Sequence, residues 1–183
     1  MKRWIPISLW IAGQIACTRP VPDQEVFPDL AFVGPGFSKG VIPRKNSCDA
    51  GDTSPALSWK GSPANTRSFA VIATDIDSPL QSIKGPFVHW LLYGIPADKR
   101  DLPEGIPGQA QLPDGSRQGT NGFDKIGYGG PCPPGSSPHR YLFDLYALDA
   151  PLNLPGGAGE PQVAEAMKGH ILAKGQLVAR YQH

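Results

Sequence analysis

The chain has 183 residues, enough for one domain with its own core and too few for two. Glycine at 22 and proline at 21, with charged residues at only 18%, favour short strands joined by turns, so an all-β architecture is expected. Basic residues number 17 against 16 acidic ones, and that near-neutrality argues against nucleic acid as a partner.

Residues 1–17 place Lys2 and Arg3 ahead of a short apolar stretch ending in Ala16 and Cys17, the pattern of an export signal. The stretch is shorter than the roughly 20 apolar residues a membrane-spanning helix needs. The Ala16-Cys17 junction resembles the lipobox of bacterial lipoproteins, which implies lipidation at Cys17, although Gln14 stands where leucine is usual. Removal of the signal takes away Lys2 and Arg3 and turns the net charge from +1 to −1. The expected locations are the periplasm, the membrane surface through a lipid anchor, or the exterior. A proline-rich tether then occupies residues 18–27, and the folded domain is 28–183. Cys48 and Cys132 remain as an even pair in an oxidising compartment, which predicts a disulfide, the alternative being two free buried thiols.

Ser68 to Asp75 and Phe87 to Ile95 are β-branched and aromatic runs bounded by turn residues and read as central strands. Pro96 to Lys125 is rich in Asp, Gly and Pro, which predicts a long irregular excursion with one or two short strands. Arg140 to Asp149 alternates with both faces largely apolar, as in the core of a sandwich. Pro161 at a first helical position, followed by Val163, Ala166, Met167 and Ile171, predicts one short amphipathic helix stopped near Gly169 and covering an open flank. Leu172 to Tyr181 closes the domain as a strand.

Four histidines are available for chemistry: His89, His139, His170 and His183. Period two puts His89 on a strand face with Phe87, Leu91 and Tyr93 and Trp90 on the other, where a histidine is either structural or the floor of a cleft. Asp75 and Asp77, at a strand end closed by Pro79, either orient a histidine or form an Asx turn. Between Gly127 and Tyr141 four glycines and four prolines surround Cys132 and lead into His139. Two imidazoles, a carboxylate, a tyrosine and glycine amides suit an anion of phosphate size. No metal site or cofactor is expected, because no two histidines stand at zinc spacing and the cysteines are single. Walker loops and Rossmann fingerprints are absent from the sequence, and Ser136 and Ser137 sit in a proline loop without the strand-to-helix context of a serine-hydrolase elbow.

The segments SPALSW at 54–59, DIDSP at 75–79, His89-Trp90, and the loop GYGGPCPPGSSPHRY at 127–141 together resemble the phosphatidylethanolamine-binding protein family, in its bacterial Raf-kinase-inhibitor-like branch. The resemblance runs from about Phe32 to Tyr181. It implies an antiparallel β-sandwich with a short C-terminal helix and a small pocket for phosphate-like anions. By motif, that pocket is built from Asp75, His89, His139 and Tyr141, with Gly130, Pro131 and the following loop as its rim. The chain departs from the pattern at Ile76 and at Ser137-Pro138.

The resemblance implies a binding protein without catalytic residues, taking a phospholipid headgroup or a phosphorylated or acidic protein partner, in some relatives inhibiting a kinase or protease. One alternative is a phosphoester hydrolase in which His89 and His139 act as acid and base. Another is an envelope interaction module that works through its outer surface and whose pocket is vestigial. Membrane association is expected only through a lipid anchor.

Overall fold

The computed structural model describes residues 26–80 and 85–183; the expected export signal, Cys17 and tether residues 18–25 lie outside them. The chain forms strands β1 (Ala31–Val33), β2 (Leu57–Lys60), β3 (Ser68–Asp75), β4 (Phe87–Pro96), β5 (Asp101–Leu102), β6 (Arg117–Gln118), β7 (His139–Leu148) and β8 (Ile171–Tyr181), with helix α1 (Glu160–Met167) before β8. The larger sheet has the order β6-β4-β3-β7-β8 and the smaller one β1-β2-β5, and the paired strands are antiparallel.

β3 is central and buried at every position because it is covered on both faces. Phe69, Val71 and Ala73 face the small sheet, where they join Leu57, Trp59 and Leu102. Ala70 and Ile72 face the other way, into a second core with Leu91, Tyr93, Val163 and Met167. A period of two therefore divides one apolar run between two cores. The Trp59 and Phe69 rings, 5.2 Å apart, join the sheets. Each such fully buried large side chain contributes about 1.5–3 kcal/mol by leaving water.

Two register shifts in the β3–β4 ladder change which side chains face inward. Phe69 pairs with Ile95 and Ala70 with Tyr93, which leaves Gly94 as the extra residue at φ +66°, a conformation that favours glycine. Ala73 pairs with Trp90 and Thr74 with Val88, which leaves His89 as the extra residue. Trp90 joins the core between the sheets while Val88 packs toward the helix. The His89 ring packs on Tyr141 of that same inner core, so the alternation that separated His89 from Trp90 does not hold across the bulge.

Helix α1 covers the outer face of the large sheet through Val163 and Met167. It begins one residue ahead of the expected start, so Pro161 takes the second helical position, and the Gly159 N–H donates to Gln162 Oε1 at 2.9 Å. Ile171, read as part of the helical stripe, instead opens β8, because Gly169 at φ +77° ends the helical path. The long excursion contains β5 and β6 and is fastened by Gln118. That fully buried amide accepts from Trp90 Nε1 at 2.8 Å and donates to the carbonyls of Pro107 (2.7 Å) and Gln109 (2.9 Å).

Candidate ligand-binding site

β3 ends where β4 and β7 begin, so one cross-strand row aligns Phe87, Asp75 and Tyr141. Asp75 is only 3% exposed, and both carboxylate oxygens are engaged. Oδ2 accepts from His139 Nδ1 at 2.8 Å and Oδ1 accepts the Asp77 N–H at 2.8 Å. Of the two aspartates, Asp75 is thus the one that orients a histidine. Asp77 turns outward and receives Arg140 through Nε (2.9 Å), Nη2 (2.6 Å) and the backbone N–H (2.8 Å). These hydrogen bonds hold the Asp77 carboxyl down at about 2.

His89 is 3% exposed and is clamped to the glycine-rich loop from two sides. Its Nδ1 donates to the Gly129 carbonyl at 2.7 Å, while the Gly129 N–H donates to the His89 carbonyl at 2.9 Å. With Nδ1 committed as donor, Nε2 is the ring nitrogen left for a ligand. Burial lowers the pKa of this imidazole, and the Gly129 hydrogen bond and the Asp75 charge act in the opposite sense. The ring packs edge-on against Phe87 (5.1 Å), Tyr141 (5.2 Å) and Phe123 (5.4 Å). The Tyr141 hydroxyl is buried and has no hydrogen-bond partner of good geometry; burial, and then the neighbouring Asp75 charge, raise its pKa.

Asp75 and His89 border a cavity of about 320 Å³, whereas Tyr141, expected in the pocket, does not line it and packs behind the His89 ring. Asp75, Ser78 and His89 supply its polar surface, and Phe87, Phe123, Pro79 and Leu80 its apolar walls. The loop contributes Cys132, Pro133 and Pro134. Gly130 and Pro131, expected at the rim, do not line the cavity but anchor the loop one step behind it. The Gly130 N–H donates to Asp52 Oδ1 at 3.0 Å, and the Pro131 carbonyl accepts the Cys48 N–H at 3.1 Å. A Cβ on Gly130 would lie 2.6 Å from Asp52 Oδ1 and 2.7 Å from the Asn46 carbonyl oxygen, so only glycine fits without displacement. The Tyr128 hydroxyl donates to the Asn46 carbonyl at 2.6 Å. The Cys48–Cys132 disulfide, with Cα atoms 5.5 Å apart, completes the attachment.

His139 is buried behind Asp75 and touches the cavity floor only through that carboxylate. Asp52, Asn46, Tyr128, Ser78 and Phe123 escaped the sequence reading. A usable signal existed for Phe123, because Asn121-Gly122 is a turn dipeptide. The Asn121 side chain accepts the N–H groups of Phe123 (2.9 Å) and Lys125 (3.2 Å), which sets Phe123 over the His89 ring.

An antiparallel sandwich with a small cavity at one end of its larger sheet defines the class of protein. The family model for phosphatidylethanolamine-binding protein matches residues 35–182, and the chain belongs to that family. It is 45% identical to a UPF0098 protein of Methanothermobacter thermautotrophicus over 143 residues, which is 78% of this chain and 91% of that relative. It is 37% identical to the UPF0098 protein YbhB of Escherichia coli over 135 residues, 73% of this chain and 84% of YbhB. Among solved structures, E. coli YbcL, described as a new member of the mammalian PEBP family, superposes with a TM-score of 0.75 at 29% identity, covering 85% of this chain and 99% of YbcL. The Chlamydia trachomatis PEBP homologue CT736 gives 0.74 at 36% identity, covering 85% and 98%. The chain is therefore of the bacterial-type branch of the family.

Proposed function

We propose that this chain is an exported binding protein whose cavity holds a phosphate-type oxyanion, carried by a phospholipid headgroup or by a phosphorylated or acidic protein segment. The observation that carries the reading is the commitment of His89 Nδ1 to the Gly129 carbonyl, which leaves Nε2 for a ligand beside the Asp75–His139 pair. A neutral imidazole in this tautomer offers Nε2 only as an acceptor, so an oxyanion and His89 need one shared proton between them. Binding consequently takes up a proton near neutral pH, supplied to Nε2 or carried on the phosphate oxygen. Phe87, Phe123 and Leu80 would pack against the apolar part of the ligand, as small-molecule sites commonly do.

The disulfide and the Gly130 anchor support the reading because they hold the loop in place before a ligand arrives, which lowers the ordering cost of binding. A second reading, phosphoester hydrolysis, draws on the Asp75–His139 contact, which is the geometry of an oriented general base. The deciding experiment is an NMR titration with phosphate and with phosphoethanolamine, repeated on Asp75→Ala and His89→Ala, with product assayed in parallel. Saturable shifts around the cavity without phosphate release support a binding protein, and release that is lost in Asp75→Ala supports the hydrolase. Absence of shifts at millimolar ligand refutes both and returns the search to the outer surface.

A further inference from the structure

We propose that the reduced form of this protein holds a divalent transition metal, zinc by ligand type, between Cys48, Cys132 and His183. Sequence spacing hides this cluster, since the three residues come from a loop, another loop and the end of the chain. The fold brings them together by carrying β8 back past residues 47–49. One ligand atom from each of Cys48, Cys132 and His183 lies within 4.8 Å of the others. His183 is held in place by a carboxylate. Its Nδ1 donates to Asp49 Oδ1 at 2.9 Å, and Asp49 is fixed in turn by the Tyr181 hydroxyl at 2.5 Å, which accepts from Ser47 Oγ at 2.7 Å. A carboxylate on one ring nitrogen with the other turned to the metal is the usual support of a histidine ligand.

In the oxidised protein the two sulfurs are bonded to each other. Cys132 is exposed, so a dithiol reductant reaches it. Its thiolate attacks Cys132 Sγ, the S–S bond breaks and its electron pair leaves on Cys48. The second thiol of the reductant then releases Cys132 as thiolate, and the reductant departs as its own disulfide. Zinc on two thiolates needs the sulfurs ~3.8 Å apart, from Zn–S of about 2.3 Å in tetrahedral geometry. Cα atoms 5.5 Å apart allow that by side-chain rotation alone. Two thiolates and a neutral imidazole make a neutral site with the dication, select zinc over oxygen-preferring ions, and leave a fourth position for water. Binding releases the thiol protons to solvent. Because Cys132 also lines the cavity, the metal-bound form carries a rim that differs from the disulfide form.

The test uses the full chain with Cys17→Ser, so that Cys48 and Cys132 are its only thiols, reduced by a phosphine and titrated with Co²⁺ and then Zn²⁺. The expected result is a single cobalt ion per chain with thiolate-to-cobalt charge-transfer absorption, displaced by zinc, and no binding by the oxidised protein. His183→Ala should weaken cobalt binding at least tenfold, and Asp49→Asn, which loosens the hold on His183, by about tenfold. Both variants keep the disulfide, so their fold is checked in the oxidised state by circular dichroism. Equal cobalt affinity in the parent and His183→Ala, as a reduced chain binding through loose thiols would give, overturns the proposal, as does absence of charge-transfer absorption.

Discussion

Replacing Asp75 by asparagine tests the innermost part of the site with minimal change of shape. In the native protein two donors, the Asp77 N–H and His139 Nδ1, each find a separate carboxylate oxygen at 2.8 Å. Asparagine retains one acceptor and places an NH₂ against the other donor. If the carbonyl stays on Asp77, His139 must move its proton to Nε2 so that Nδ1 accepts from the new amide. The exchange replaces a charge-assisted hydrogen bond by a neutral one about half as strong, a loss of about 1–1.5 kcal/mol. Asp75→Ala, which leaves both donors without an acceptor in a buried place, is expected to cost about 3–5 kcal/mol. Urea unfolding gives the energies and long-range ¹H–¹⁵N correlation of the imidazoles gives the tautomer. A change below about 0.5 kcal/mol with His139 still protonated on Nδ1 would refute the reasoning, since surface substitutions already reach that size.

Gly130→Ala forces a Cβ against Asp52, Asn46 and Ser47, and a loss of about 1–3 kcal/mol is expected with amide shifts spreading to residues 46–52; unchanged unfolding would contradict the close approach. Replacing Cys48 and Cys132 by serine frees a loop of 84 residues in the unfolded chain and should lower stability by about 4 kcal/mol, read as a fall in urea midpoint. The Asp77 carboxyl, at about 2 against an ordinary 3.8, contributes stability above the unfolded value and loses it as pH falls from about 4 toward 2. The pair is exposed, so the energy is small, but the carboxyl ¹³C midpoint should return toward 3.8 in Arg140→Gln. A midpoint that stays near 2 would remove Arg140 as the cause.

The three long strands of the large sheet and β8 were legible because each is a run of apolar and β-branched residues long enough to show its period. β1, β2, β5 and β6 span 2 to 4 residues, too few for any period, and form because neighbours supply their partners. Resemblance over four short motifs located Asp75, His89, His139 and Tyr141 near one another. The orientation of His89 was not legible, since a bulge adds one residue and reverses the alternation. Nor was the division of labour between Asp75 and Asp77, which depends on Arg140 lying outside the sheet and His139 inside it. The anchors at Asp52, Asn46 and Tyr128 are polar residues outside the strands whose partners lie 78 or more positions away, beyond any local pattern.

The central claim, an oxyanion site that shares a proton with His89, is tested most directly by calorimetric titration of the protein with phosphoethanolamine near pH 8, in two buffers of different ionisation enthalpy. At that pH the phosphate is dianionic and His89, lowered by burial, is neutral. The account predicts uptake of about one proton per ligand bound and an affinity that rises close to tenfold as pH falls by one unit, both lost in His89→Ala. Binding without proton uptake, or equal binding by His89→Ala, would contradict it.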